Sequence, residues 1–122
     1  MLTNFPKQGD DKELSLTNSN YKIFDVEYAR KLKKDYPSIW ELGGNIEGNN
    51  QYRRLLRVIK KDSIDTETDE LGVRKREAWA ARHFKNKNIA GVIAQIKWFV
   101  VGSRGEAYMK EVVQAEIDKL NE

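Results

Sequence analysis

The stretch from Val73 to Val101, VRKREAWAARHFKNKNIAGVIAQIKWFVV, carries the pattern that decides the fold. Its first half belongs to a strongly basic helix over residues 68–85, whereas its second half, from Ile89 onward, is nearly all apolar. A helix that is apolar on almost every side is typical of the centre of a core. We therefore expect helix 89–101 in the core and helix 68–85 as the working surface.

Helical patterns continue on both sides of this stretch. Asp25 is a good N-cap for a first helix, and residues 50–61 place apolar side chains at helical spacing. Ser103, with Glu106 three residues later, has the form of a capping box before a last helix. The sequence therefore predicts a mainly α domain, a compact bundle of about five helices, over residues 25–122.

The first 24 residues follow a different pattern. Polar and apolar residues alternate on either side of residues 17–20, which are all turn formers. Alternation around such a turn predicts a small N-terminal β-hairpin, and the alternative is a loosely ordered arm. Because an isolated hairpin is only marginally stable in water, we expect residues 1–24 to pack on the helical domain.

Length and composition exclude several classes of protein. The chain has 122 residues, enough for one domain, and 39% hydrophobic and 34% charged residues, which argues against disorder. The absence of cysteine excludes a disulfide framework and fits a cytoplasmic location. The longest apolar run, Ile89 to Val101, is too short and polar for a membrane span. The net charge is only +3, so nucleic-acid binding would have to rest on local clusters of cations.

Two helices carry such clusters. Helix 50–61 has a run without any acid, and helix 68–85 has further cations, so a groove between them could follow a phosphate backbone. The alternative is a solvated surface whose charges match the helix dipoles, because several of the lysines fall at helix C-termini. The candidate contacts from these clusters are Arg53, Arg54, Arg57, Lys60 and Arg82.

A second candidate surface is one flank of helix 68–85. Arg76, Trp79 and His83 follow one another at i, i+3 and i+7, which places a cation, an indole and an imidazole together. Such a flank could stack on bases or grip phosphates, and it could equally anchor a protein partner. The structural alternative is that Trp79 closes the edge of the core and His83 bonds a neighbouring carbonyl group.

Catalytic and ligand-binding motifs are scarce. Glu77 lies close to the core direction of its helix and needs a cationic partner, but no second catalytic group has a defined spacing to it. Glu77 and His83 are six residues apart, which does not match a zinc motif. We therefore expect no enzyme, no metal and no cofactor. Ser103 and Arg104, between two glycines at the start of a helix, form a candidate anion site.

Three segments carry a resemblance to known proteins: Tyr36 to Asn45 (YPSIWELGGN), Arg76 to Phe84 (REAWAARHF) and Ile89 to Trp98 (IAGVIAQIKW). Together they resemble small proteins of tailed bacteriophages and prophages. The resemblance implies expression in the cytoplasm of a bacterial host, and it implies no activity.

Two functions remain open from the sequence. The first is a small non-enzymatic nucleic-acid-binding protein that uses the basic helices 50–61 and 68–85. The alternative is a protein-interaction module, for phage assembly or for modulation of the host and its defences, that uses the flank of Arg76, Trp79 and His83.

Overall fold

The computed structural model describes Leu16, residues 19–44 and residues 46–122, and the protein is mainly helical, as the sequence predicts. Within these ranges a single 3-10 turn, Glu41–Gly43, follows the second of six α-helices. The helices are α1 (Val26–Asp35), α2 (Pro37–Trp40), α3 (Ile46–Lys61), α4 (Glu67–His83), α5 (Ile89–Lys97) and α6 (Glu106–Leu120). Most of the first arm of the predicted hairpin, and part of its turn, lie outside the described residues.

Side-chain caps fix where the helices begin. The Asp25 carboxylate accepts a hydrogen bond from the Tyr28 N–H at 3.1 Å, which starts α1 as predicted. Thr66 and Asp69 form a reciprocal capping box at the start of α4. Asn88 caps α5 by accepting from the Gly91 N–H at 2.7 Å. Each cap satisfies backbone donors that would otherwise lack a partner at a helix start.

The core forms around α5. Val92, Ile93 and Ile96 are fully buried, and they pack with apolar side chains from every other long helix. The chain of the 3-10 turn also comes very close to α5, because Gly43 has no side chain: a Cβ there would lie 2.5 Å from the Ala94 nitrogen. The 3-10 turn therefore packs directly against α5.

Helix α5 is shorter than the predicted helix 89–101. It ends at Lys97, and Phe99 adopts a positive φ of 54°, which turns the chain out of the helix. Residues 99–101 then pair with the N-terminal segment: Phe24 N–H donates to the Phe99 carbonyl at 3.1 Å, and Val101 N–H donates to the Lys22 carbonyl at 3.0 Å. The pairing is an isolated antiparallel bridge centred on Ile23 and Val100.

The start of α6 also differs from the prediction. The helix begins after Gly105, whose φ of 91° suits glycine, and Ser103 does not cap it. The Glu106 carboxylate instead accepts a hydrogen bond from the Asp25 N–H at 2.8 Å. Lys110 donates to the Asp25 side chain at 2.9 Å, so two side chains of α6 bind the residue that caps α1.

Candidate functional site

Helices α3 and α4 lie side by side in an antiparallel hairpin. The buried Gln51 side chain on α3 donates to the Gly72 carbonyl on α4 at 3.0 Å. A Cβ at Gly72 would lie 3.4 Å from the Arg54 Cβ, which is ordinary contact, so the two helices touch here and a small side chain would still fit. Residues of both helices line a groove on their solvent-facing sides.

A pocket of about 470 Å³ opens in this groove, and we call it the arginine pocket. Among the described residues no carboxylate lines it. Three arginines, one asparagine and one threonine line it: Arg53, Arg54, Arg57, Asn50 and Thr68. Three of the residues that the sequence singled out, Arg53, Arg54 and Arg57, are therefore brought together.

Buried polar side chains hold two of these arginines in place. Arg54 Nη1 donates to Gln51 Oε1 at 2.8 Å, and Gln51 is itself fixed to α4. Arg57 donates from Nε and Nη2 to Asp69 Oδ1 at 3.1 and 2.7 Å. Arg53 Nη2 donates to the Asn50 amide oxygen one turn earlier. Guanidinium groups that are fixed before a ligand arrives lose less conformational entropy when they bind it.

Asp69 is a fully buried carboxylate that organises one end of the arginine pocket. Besides Arg57, it accepts from Lys61 Nζ at 2.6 Å and from the Asp65 N–H at 3.0 Å. Burial raises the pKa of the Asp69 carboxyl, but the hydrogen bonds from Lys61, Arg57 and the Asp65 backbone outweigh burial and hold it well below its usual range. Asp69 is therefore ionised, and it offsets part of the positive charge of Arg57 and Lys61.

Acidic side chains flank the arginine pocket at both ends of the groove. At one end Glu47 lies 3.9 Å from both Arg54 and Lys75. At the other end Asp65 lies 3.3 Å from Lys61, next to the buried Asp69. The positive surface is therefore concentrated in the pocket and does not extend evenly along the groove.

Two further predicted contacts lie outside this lining. Lys60 is exposed in the last turn of α3, and Arg82 is exposed near the end of α4. Neither residue contributes to the arginine pocket. Lys60 lies about one turn beyond Arg57 along α3 and therefore outside the pocket.

Arg76 is not on a surface flank, which corrects the interpretation of α4 from its sequence. The residue is fully buried, and burial lowers the pKa of its guanidinium while Glu77 opposes that change. Nε donates to the Trp98 carbonyl at 3.1 Å, and Nη2 donates to the Tyr21 and Phe99 carbonyls at 2.8 and 2.7 Å. Backbone carbonyl oxygens of the loop after α5 and of the N-terminal segment therefore bind the guanidinium that the sequence predicted to contact a ligand.

Glu77 completes this buried site from its edge. Its carboxylate lies 3.0 Å from Arg76 Nη1, and it accepts a hydrogen bond from the Ser19 hydroxyl. Arg76 Nη1 also donates to the Ser19 oxygen at 3.0 Å. The sequence predicted a cationic partner for Glu77, and its ion-pair partner in the structure is the adjacent arginine, Arg76.

Trp79 and His83 remain together on α4 without Arg76. Both are half-buried, and their rings lie 4.7 Å apart. The Trp79 ring also stacks on the buried Trp98 ring, with centroids 4.9 Å apart and planes 6° from parallel. The sequence missed this contact because the two indoles come from distant parts of the chain. A base that stacked on Trp79 would have to compete with these rings.

The candidate anion site at Ser103 and Arg104 is partly occupied by the protein's own groups. Both residues are exposed, but the Ser103 N–H donates to the Phe84 carbonyl at 2.9 Å. The Arg104 guanidinium lies over the Tyr108 ring, 5.4 Å from its centroid. An anion there would have to displace or share these contacts.

Lys97 is a buried cation that is not among the candidate site residues from the sequence. Its Nζ donates to the Asn49 amide oxygen at 3.0 Å and lies 5.3 Å from the centroid of the Trp40 ring. Burial lowers the pKa of this ammonium, and the charge of Glu41 partly opposes the change. Its position in an otherwise apolar helix was the available signal.

Membrane spans and metal clusters are two other kinds of site. In the part of the chain that the structure describes, no helix is long and apolar enough to cross a membrane. Over the same residues, no three histidine or acidic side chains come together in a way that could hold a metal ion.

Comparison with known proteins gives no relative for this chain. No protein-family model matches it, and neither the curated proteins nor the solved structures contain a significant match.

Proposed function

We propose that the protein binds nucleic acid through phosphate groups, and that the arginine pocket is the binding site. The observation that supports this proposal is the convergence of Arg53, Arg54 and Arg57 on one pocket. Guanidinium groups bind phosphate oxygens with paired hydrogen bonds, and Asn50 and Thr68 add neutral donors beside them.

The surrounding polar contacts favour a ligand that is anionic. Gln51 and Asp69 fix Arg54 and Arg57 from the buried side, and each guanidinium carries more N–H donors than these bonds use. Asp69 offsets one positive charge, and the three arginines still outnumber it. A bound phosphate would supply the counter-charge that the protein does not place in the lining.

The test is fluorescence anisotropy with labelled single- and double-stranded DNA and RNA across a salt series. We expect the parent protein to bind with an affinity that falls as salt rises. Replacing Arg53 and Arg54 by glutamine should weaken binding by about tenfold for each phosphate that is left without its arginine, and it should make the salt slope shallower.

The matched control removes two positive charges elsewhere. Lys31→Gln with Lys34→Gln changes exposed positions on α1, so net charge changes equally while the arginine pocket is untouched. The control should bind like the parent. Equal binding by the parent and the pocket variant, both with normal thermal melting, would rule out the pocket as the phosphate site.

A protein partner is the second candidate function, and one observation favours it. Trp79 is only half-buried although its ring stacks on Trp98, so part of a large aromatic side chain faces solvent beside the exposed Arg82. Binding at such a surface would depend weakly on salt. Trp79→Ala would abolish it, whereas the replacement of Arg53 and Arg54 would not.

A further inference from the structure

We infer that the arginine pocket takes the terminal phosphate monoester of a nucleic-acid strand and does not track a continuous phosphate backbone. This inference rests on the proposed function and makes it specific to a strand end. It follows from the shape of the lining and from the placement of the acids around it.

The lining suits a compact group with several charged oxygens. Three arginines, an asparagine and a threonine from two helices line one pocket. A phosphate monoester carries about −1.5 to −2 charges and three terminal oxygens at neutral pH, whereas a backbone diester carries one charge and two such oxygens. The monoester therefore makes fuller use of three arginines in one place.

The acids around the pocket oppose a continuous track. A strand presents about one charge every 3.4 Å of duplex axis, so a backbone that followed the groove would meet further positions beyond the pocket. Those positions hold Glu47 at one end and Asp65 at the other. The lysines there, Lys75 and Lys61, are already paired with these acids.

Replacement of Lys60 can distinguish the binding of a terminal phosphate from the binding of a continuous backbone. It lies one turn beyond Arg57 on α3, is exposed and is not part of the lining. A backbone that followed the outer face of α3 from Arg53 past Arg57 would contact Lys60. A terminal phosphate held within the pocket would not. Lys60→Gln is therefore the matched comparison for Arg53→Gln, since both remove one charge from an exposed position on the same helix.

The experiment compares one oligonucleotide sequence in three forms, with a 5′-phosphate, with a 3′-phosphate and with hydroxyls at both ends, each labelled internally. Binding is measured by anisotropy at two strand lengths. We expect at least one phosphorylated form to bind about tenfold more tightly than the hydroxyl form, with an affinity that does not rise with length. Arg53→Gln should remove that difference and Lys60→Gln should leave it.

A free nucleoside monophosphate carries the same terminal phosphate and is the second arm. Displacement of the phosphorylated oligonucleotide by the monophosphate, and not by the nucleoside, would support recognition of the monoester itself. Failure of the monophosphate to compete at a large excess would overturn it. Tighter binding of a phosphoserine peptide than of the phosphorylated oligonucleotides would overturn the assignment to a nucleic-acid end.

The remaining outcomes separate this inference from the proposed function. Equal binding of all three oligonucleotides, weakened alike by Arg53→Gln and by Lys60→Gln, would sustain nucleic-acid binding and overturn recognition of the end. Absence of binding to every oligonucleotide at low salt would overturn both.

Discussion

The Arg76 guanidinium donates to the carbonyl oxygen of Phe99 at 2.7 Å, and Phe99 holds a left-handed backbone conformation with φ 54°. A bulky residue in that conformation costs about 1–2 kcal/mol relative to an ordinary one. The same carbonyl accepts from the Phe24 N–H, and the Phe99 ring stacks on Tyr52 with centroids 5.3 Å apart. Burial of the ring and these two donors together hold the strained turn that ends α5.

Loss of the Arg76 side chain should destabilise the fold strongly. Arg76→Met keeps an unbranched chain but leaves the Tyr21, Trp98 and Phe99 carbonyls without this buried donor. We expect the free energy of unfolding to fall by about 3–5 kcal/mol, measured by urea denaturation. Arg82→Met, at an exposed position on the same helix, should change it by less than about 0.5 kcal/mol. A decrease smaller than about 1 kcal/mol for Arg76→Met would contradict this role.

The Asp69 carboxylate should make the free energy of unfolding depend on pH. Because its folded-state pKa lies below that of the unfolded chain, its contribution is complete above the unfolded pKa of about 3.9 and is lost as pH falls toward the folded-state value. Asp69→Asn should therefore lower the free energy of unfolding by about 1–3 kcal/mol at pH 7. The difference between parent and variant should shrink as pH drops below about 4.

Urea midpoints at pH 7 and pH 3 measure this dependence. Asp35→Asn, at the exposed end of α1, is the control and should change the midpoint little at either pH. A constant difference between the parent and Asp69→Asn at the two pH values would show that the ionised carboxylate is not the source of the stability.

Two glycines near α5 should respond oppositely to alanine. At Gly43 an added Cβ would lie 2.5 Å from the Ala94 nitrogen and 2.6 Å from the Ile93 carbonyl carbon, both backbone atoms that cannot yield cheaply. Gly43→Ala should cost about 1–3 kcal/mol or more. At Gly48, inside α3, the nearest atom to the Cβ would be the Lys97 Cδ, at 3.4 Å, which is ordinary contact. Gly48→Ala should be neutral or gain up to about 1 kcal/mol. Thermal melting of both variants tests the contrast, and a stable Gly43→Ala would refute the close approach.

The features that the sequence predicted correctly are those set by neighbouring residues. Asp25 caps α1 as predicted, because its carboxylate accepts a hydrogen bond from the Tyr28 N–H, three residues away. Apolar spacing likewise predicted the burial of Leu55 in α3. Such signals are local, so a helical wheel and a capping rule are enough to find them.

The features that the sequence could not supply are set by distant partners. Nothing near Trp98 signals that α5 ends at Lys97, because the turn is held by Arg76, more than twenty positions earlier, and by the segment at residues 22–24. The sequence pattern placed Arg76 on a surface flank with Trp79 and His83, because arginine is seldom fully buried. Its buried acceptors are carbonyl oxygens, which every residue has, so residue types carry no trace of them.

Only the arginines of the candidate site could be predicted from the sequence, and the residues that orient them could not. The arginines of α3 stood out as a run without acids, and three of them do line one pocket. The polar residues that orient them, Gln51 and Asp69, gave no signal, because each acts across the α3–α4 contact. In the sequence, Asp69 is one of three acids in the first turn of α4. The helix dipole favours acids at that position, so nothing distinguished Asp69 from its neighbours.

The hydrogen bonds between Arg76 and residues 19–22 set a limit on how the chain can be shortened. Arg76 of α4 donates to the Tyr21 and Lys22 carbonyls, so the backbone of these two residues supports the buried guanidinium although they belong to no helix. A fragment that began at α1 would lack Ser19, Tyr21 and Lys22. The Arg76 guanidinium would then lose the hydrogen-bond acceptors that these three residues provide. The smallest unit that can be expressed as a stable domain therefore begins at or before Ser19, and a fusion partner or affinity tag joined directly at Asp25 would displace a piece of the interior.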